Sequence, residues 1–308
     1  MIALQPTFRS SVNTWQCDEN DHLNVQFYTA FGDDASIQWL SLNGLGPQAQ
    51  ARAGLRVQPV SDRIRYWKEL RGQDSLEIHS APVEVEPGRI ALYHELRNSY
   101  DGDIAAVMVR DVECRDAAGR AVPFPTALSD RAGAARMALP DAGKSRSIGR
   151  FGHPPELTLQ QAQDMGMIEI NRAVVAPEEC DAFGRLRPRF HFSRFSDGAA
   201  ILWHRMGFDR VAMRQRQQGS VVLETRTLYR RPIPVGTPTV VLSGLLDVSD
   251  KVLHFAHLLF DAETGTLCAS GEAVGIQFDQ QTRRSMALRA EDRERLGGRV
   301  VKGLGSGT

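Results

Sequence analysis

The sequence predicts an α+β fold in two tandem copies, each a long amphipathic helix laid against an antiparallel sheet. Three observations lead there. The chain has 308 residues, about twice the usual domain of roughly 100 to 150. Shifted by 163 positions against itself, it aligns Val12 with Val175, Cys17 with Cys180, Asp18 with Asp181, Leu23 with Leu186 and Phe27 with Phe190. Asp34 and Asp197, Gly44 and Gly207, Arg63 and Arg226, and Tyr66 and Tyr229 keep the same register. Finally, each copy repeats one order of patterns: a short strand, a polar loop, a long helix and four strand-like runs. A period this long means two whole domains, because solenoid repeats run about 20 to 50 residues.

In the first copy, VNTW reads as the short strand, and residues 24 to 43 carry Val25, Tyr28, Phe31, Ala35, Trp39 and Leu42 at spacings of three and four. That spacing makes one apolar helical face, and Asn43-Gly44-Leu45-Gly46 supplies a C-terminal stop. Strand-like runs follow at residues 57 to 69, 74 to 86, 89 to 99 and 103 to 115. Arg71 to Asp74, Pro87-Gly88 and Tyr100 to Asp103 separate them, the last being a hairpin turn. The second copy predicts a strand at 171 to 177, a helix from 188 to 206, and strands near 219 to 230, 238 to 248, 251 to 261 and 266 to 278. One long helix beside four antiparallel strands buries its apolar stripe only by lying across them. The domains are read as residues 1 to 116 and 168 to 285. A linker, 117 to 167, joins them and is rich in Ala, Gly, Pro and Arg without a clear period. Residues 286 to 308 are read as a C-terminal tail whose end, GRVVKGLGSGT, is frayed.

Composition narrows the partners. Thirty-seven Lys and Arg balance 37 Asp and Glu, and the sequence pI is near 7.1. That balance offers no basic footprint for nucleic acid or an anionic membrane. The start, MIALQPTFRSSVNTW, has no charged-then-apolar leader pattern, and no apolar run reaches the roughly 18 residues of a membrane span. Four cysteines (Cys17, Cys114, Cys180 and Cys268) make no disulfide framework, and no two stand at metal-ligand spacing. His94, Glu95, His254 and His257 fall in predicted strands and fix no metal geometry, so they receive no role. The expected protein is cytoplasmic and works without metal or cofactor.

The chemistry concentrates ahead of the first helix, where Asp18, Asn20, His22 and Asn24 occupy seven positions. Unpaired N-H groups at a helix start stabilise developing negative charge, and the loop before it is where an attacking group must stand. The residues have structural readings too. Asp18 and Asn24 are both good capping residues, and His22 can serve as a backbone hydrogen-bonding group. Tyr28 sits at a position that suits the core. Cys17 and Cys180 flank the aspartates without a repeated histidine partner and read as packing residues.

Asp18, Asn20, His22, Asn24 and Tyr28, spaced D-x-N-x-H-x-N-x-x-x-Y, resemble the loop of acyl-carrier-protein and acyl-CoA thioesterases of the hotdog fold. Cys180-Asp181-Ala182-Phe183-Gly184 resembles the C-D-P-A-G loop of 4-hydroxybenzoyl-CoA thioesterases. Together they imply a double hotdog in one chain that hydrolyses an acyl thioester such as acyl-CoA. The resemblance implies that Asp18 acts as general base or as direct nucleophile. Asn20, His22 and Asn24 would complete the hydrogen-bond network. The amide seven positions after the aspartate, at Val25, would polarise the carbonyl. The same count in the second copy reaches Pro188, which has no N-H. There Phe183, Arg185 and Arg187 replace Asn20, His22 and Asn24. One competent site in the first copy is therefore expected, with Asp181 the secondary candidate. Arg185 and Arg187, in a run continued by Arg189 and Arg194, are candidates for coenzyme A phosphates. A two-fold dimer is the default assembly.

Two other functions compete. A hotdog 2-enoyl-CoA hydratase or dehydratase has the loop D-x-N-P-x-H, whereas here the imidazole follows Asp18 by four residues and Asp21 stands in place of the proline. A noncatalytic acyl-thioester-binding module is the other, since one fold hosts many roles.

Overall fold

The computed structural model describes residues 4–149 and 156–304. The chain packs as two compact units, Met1–Lys144 and Ser145–Thr308. The first unit opens with β1 (Gln5–Ser11), followed by helix α1 (Val25–Leu42), the short α2 (Pro47–Ala53) and strands β2 (Leu55–Tyr66), β3 (Ser75–Glu86), β4 (Arg89–Asn98) and β5 (Ile104–Asp116). Helix α3 (Thr126–Ala134) closes it. All its strand pairs are antiparallel, in the order β1-β3-β4-β5-β2.

The second unit repeats this plan. It contains α4 (Leu159–Asp164), β6 (Ile168–Val174), α5 (Pro188–Asp197), α6 (Ala199–Arg205) and α7 (Arg210–Gln215). Strands β7 (Gln218–Tyr229), β8 (Pro238–Val248), β9 (Val252–Asp261) and β10 (Leu267–Asp279) and helix α8 (Ala290–Gly297) follow. Its order, β6-β8-β9-β10-β7, is the first unit's under the 163-residue shift. The same shift carries α3 onto α8.

Helix α1 begins at Asn24, whose Oδ1 accepts the Gln26 N-H at 3.1 Å and satisfies one of the unpaired amides of the first turn. It ends at Asn43, where Gly44 takes a φ of +88° to turn the chain. Phe27, Tyr28, Phe31 and Ala35 bury against Leu76, Ile78 and Leu96 of the sheet. Trp39, 1% exposed, packs with Ile90, Leu92 and the α3 residues Leu128 and Ala132. Leu42, predicted on the apolar face, is exposed instead, at the last turn of the helix.

Three further sequence expectations change. VNTW is not a strand, because the first strand ends at Ser11 and Thr14–Gln16 form a 3-10 turn. The turn is held by the Asn13 N-H donating to the Gln16 side chain at 2.8 Å. The second long helix is broken at Gly198, which separates α5 from α6. A side chain at Gly198 would meet the Ile170 carbonyl of β6 at 2.7 Å, so only glycine fits where the strand approaches the break. The tail is not frayed as far as Leu304, because Val301 and Leu304 are buried against β8 and β9 residues. Residues 305–308 lie outside the described residues.

The middle of the connecting segment, residues 141–148, is held by side chains on either side of the unit boundary at Lys144 and Ser145. Arg65 Nη1 donates to the carbonyls of Asp141, Ala142 and Lys144 at 3.2, 3.3 and 2.7 Å. Within the second unit, the buried Glu224 carboxylate accepts the N-H groups of Arg146, Ser147 and Ile148.

A polar line ties α1 to the first sheet. Ser36 Oγ donates to the Gly32 carbonyl at 2.7 Å and contacts His94 Nε2 at 2.9 Å. His94 Nδ1 meets Ser80 Oγ at 2.7 Å, and Ser80 meets Thr7 at 2.6 Å. Because the Ser36 hydroxyl hydrogen goes to Gly32, Nε2 of His94 must carry the ring proton and donate, and Nδ1 accepts from Ser80. Ser243 and His257 repeat the Ser80–His94 pair at the same shift, 2.6 Å apart. Burial lowers His94 to about 3, with Arg110 adding to it. Burial likewise lowers His191 and His257 to about 4 each.

These three rings bind protons in the unfolded chain below their ordinary value of about 6.5, but stay neutral when folded. Unfolding therefore takes up protons, and stability falls as the pH drops below about 6.5, down to about 4 for His191 and His257 and about 3 for His94. Each contributes up to about 1.4 kcal/mol per pH unit across its window. Thermal melts should show the midpoint dropping between about pH 7 and about pH 5, and a flat midpoint over that range would refute it.

Candidate functional site

The loop ahead of α1 is a closed turn built by Asp18. Its Oδ1 accepts the N-H groups of Asn20 at 2.8 Å and His22 at 3.3 Å, while its own N-H donates to the His22 carbonyl at 2.8 Å. Asp21 adopts a φ of +61° to complete the reversal. Leu23 donates to the Leu70 carbonyl at 2.7 Å, and Asn24 to the Gln16 carbonyl at 2.9 Å. The helix start is thereby clamped between the 3-10 turn and the chain leaving β2. Asp18, Asn20 and Asn24 are half-buried, and His22 is buried. Val25 is the first residue of α1. Its amide has no acceptor among the described residues, as expected one position past an N-cap.

The second loop has the same backbone. Asp181 Oδ1 accepts the N-H groups of Phe183 at 2.8 Å and Arg185 at 3.0 Å, and Gly184, with φ +71°, stands in the place of Asp21. Leu186 donates to the Ile233 carbonyl and Arg187 to the Glu179 carbonyl. The shared aspartate thus carries a loop-closing duty common to both copies. Pro188 opens α5 in the register of Val25, so this helix lacks an N-H at the corresponding point. Asp181 is exposed where Asp18 is half-buried.

The residue that sequence reasoning missed is Glu69. Its Oε2 lies 3.2 Å from His22 Nε2, with the His22 side chain 7% exposed and that of Glu69 35%. Glu69 precedes Leu70, whose carbonyl holds Leu23, so the two chain segments that form the loop also bring carboxylate and imidazole together. The 163-residue shift carries His22 to Arg185 and Glu69 to Pro232, so the second copy lacks both members. Glu69→Gln keeps the shape but removes the charge beside the imidazole. It should lower the turnover rate of the site by about 10- to 100-fold, read as steady-state kcat. An unchanged kcat would make the pair structural only.

Tyr28 is in the core, 4% exposed and edge-on to Tyr66 with ring centroids 5.1 Å apart. Burial raises its hydroxyl pKa. His191 and Tyr229 repeat that ring pair at the same 5.1 Å. Among the arginines, Arg194 is buried with Nη2 2.8 Å from Glu179 Oε2, which removes it from any ligand-binding run. Arg189 lies over the Phe190 ring at 4.8 Å. Arg185 and Arg187 are half-buried around the second loop, Arg187 at the N-cap of α5. Cys17 and Cys180 are half-buried, and burial, with nearby aspartates, raises both thiols. Among the described residues no group of three or more His, Cys, Asp or Glu is placed to hold a metal ion. No described helix is long and apolar enough to cross a membrane.

The thioesterase-like superfamily profile matches residues 12–132 and again 175–296. A search of curated proteins finds no match. Solved structures of similar fold include a protein from Lactobacillus plantarum assigned as an oleoyl thioesterase, with TM-score 0.68 at 12% identity, covering 89% of this chain and 96% of that one. An acyl-ACP thioesterase from Bacteroides thetaiotaomicron gives 0.63 at 8% identity, covering 87% and 96%. The 12:0-ACP thioesterase from Umbellularia californica gives 0.61 at 11% identity, covering 88% and 94%. At such identities the likeness is one of fold, a double hotdog, and the profile match over both copies carries the family. The chain belongs to the thioesterase-like superfamily, with two of its repeats in one sequence.

Proposed function

We propose that the protein hydrolyses an acyl thioester, with acyl-CoA as the substrate, at a site formed by the first unit's loop and helix start. The observation behind this reading is the pairing of a half-buried carboxylate with an acceptor-free helix N-terminal amide, at Asp18 and Val25. One oxygen of Asp18 is committed to the loop, and Oδ2 has no hydrogen bond among the described residues. That second oxygen either takes a proton from water as it attacks or attacks the carbonyl itself. Charge developing on the carbonyl oxygen is met by the Val25 amide at the positive end of α1. Asn20 orients the water or the carboxylate. His22, held by Glu69, and the helix-capping Asn24 complete the surrounding network. The departing thiolate needs little help, because a thiol of pKa near about 8.5 is a good leaving group.

Arg185 and Arg187, at the second unit's own loop, supply the charge type that pyrophosphate recognition requires, and we propose them as phosphate-binding residues of that unit. The test is release of free thiol from acyl-CoAs of varied acyl group by the full chain. Thiol from one or more of them is the expected result. None from any member, with added enoyl-CoA also unchanged in absorbance, would leave a noncatalytic binding module. An absorbance change without thiol would indicate hydration. If thiol is released, single-turnover hydrolysis in 18O-water tests the nucleophilic role, because label recovered in the Asp18 carboxylate requires water to have opened an Asp18–acyl anhydride at the aspartate carbon.

A further inference from the structure

Helix α1 is buried on a second face beside its aromatic one. Val25, Thr29, Gly32, Asp33 and Ser36 follow spacings of three and four and so share a face, and Thr29, Gly32, Asp33 and Ser36 are all buried. Thr29 is 1% exposed, and its Oγ1 has no hydrogen-bond partner among the described residues. A helical threonine ordinarily donates to the carbonyl four residues back, and a dry hydroxyl with no partner is rare in a folded protein. One turn further on, Gly32 contributes no side chain. The space is covered from β5 by Met108, whose Cε would lie 2.6 Å from a Cβ at Gly32. Met108 is an unbranched thioether and the most easily displaced of large apolar groups.

The second copy treats this face oppositely. The 163-residue shift replaces Val25 with Pro188, Thr29 with Phe192 and Gly32 with Phe195. Phe192 and Phe195 pack edge-on, 6.2 Å apart, and Phe195 stacks on His257 at 5.2 Å. Met108 becomes Gly271, where a Cβ would meet the Phe195 ring at 2.7 Å. The second unit therefore closes the face with rigid rings borne by the helix. The first keeps it small, polar and covered by a movable side chain, with one hydroxyl unserved.

We propose that Thr29 is a substrate-contacting residue that hydrogen-bonds an oxygen on the acyl group, so that the preferred substrates are acyl thioesters bearing a hydroxyl or keto oxygen near the thioester carbonyl. This rests on the Val25 amide receiving that carbonyl. Thr29 lies four residues on, about 6 Å along the axis, and its side chain leans back toward the helix start. The gap from amide to hydroxyl suits a carbonyl oxygen and an oxygen on the third acyl carbon. A substrate lacking the oxygen leaves the Thr29 hydroxyl without a bond that a substrate bearing it supplies.

Non-hydrolysable analogues, with a methylene between sulfur and carbonyl, test this by calorimetric binding to the full chain. One carries a plain acyl group of eight or so carbons and the other its 3-hydroxy counterpart. The hydroxylated analogue should bind about 10-fold more tightly or better. Thr29→Val should erase the difference, and Thr29→Ser should keep it. Equal affinities in the wild-type protein, binding of neither analogue, or a preference that survives in Thr29→Val would overturn the proposal. The readout does not depend on turnover. Thiol release without a binding preference sinks this inference alone, and a preference without thiol release sinks only the hydrolytic reading.

Discussion

Asp18→Asn is expected to lower thiol release by at least about 10²- to 10⁴-fold while leaving the fold and its stability in place. The substitution divides the two duties that the structure gives this side chain. An asparagine oxygen accepts the N-H groups of Asn20 and His22 as the carboxylate Oδ1 does, and asparagine closes such turns as readily as aspartate. What it lacks is the basic or nucleophilic second oxygen. Asp181→Asn is the internal control, because that carboxylate closes the equivalent loop with the same two bonds and faces a helix that starts with Pro188. Its activity should match wild type. Asp18→Ala and Asp181→Ala, which remove the turn as well, should each cost about 1 kcal/mol in stability. Near-normal activity in Asp18→Asn would reduce Asp18 to a loop-closing residue, and a loss confined to Asp181→Asn would move the site to the second copy.

The survival of aspartate in both loops is thus explained before any chemistry is invoked. Repetition in sequence pointed to Asp18 and Asp181 as the shared element, and the structure shows that what they share is a backbone turn. The features that separate the copies lie around them, in Val25 against Pro188 and in the His22–Glu69 pair against Arg185 and Pro232. The first contrast is legible by counting along the chain. The second is not, because Glu69 follows His22 by 47 positions and is brought beside it by a fold contact, the Leu23–Leu70 hydrogen bond.

The same division runs through the fold. Helix α1 and the eight long strands are legible because periodicity is local. The break at Gly198 is not, since the apolar spacing runs on and the close approach of Ile170, which leaves no room for a side chain at that glycine, comes from a strand earlier in the chain. VNTW misled for a different reason. Its β-prone residues favour a strand, but asparagine followed three residues later by glutamine is a capping pattern, and Asn13 with Gln16 uses it. The Ser80–His94 pair, doubled as Ser243–His257, was visible in the 163-residue register but carries no motif that marks it as more than strand composition.

Arg110→Ala is expected to destabilise the first unit by about 3–5 kcal/mol, the usual cost of stripping the partner from a buried ion group. Arg110 is 1% exposed on β5. Its Nε and Nη2 bind the two oxygens of Asp62 at 2.6 Å each, and Nη1 binds Asp33 at 2.7 Å. Asp62 is its cross-strand neighbour on β2, and Asp33 comes from α1. The guanidinium therefore joins two strands to the helix that presents Val25, and its removal takes a charge partner from two buried carboxylates. The second copy has Thr225 and Ala273 where Asp62 and Arg110 stand, so the device belongs to the first unit alone. That confinement gives the prediction a local signature. Amide exchange in α1 should accelerate in Arg110→Ala while α5 and α6 keep their protection. A combined Asp33→Asn, Asp62→Asn, Arg110→Met variant, which removes the charges together, should recover much of the loss. A single-variant cost below about 1 kcal/mol, or equal acceleration in both units, would show that α1 is held by its aromatic face and the His94 line without the buried ion group.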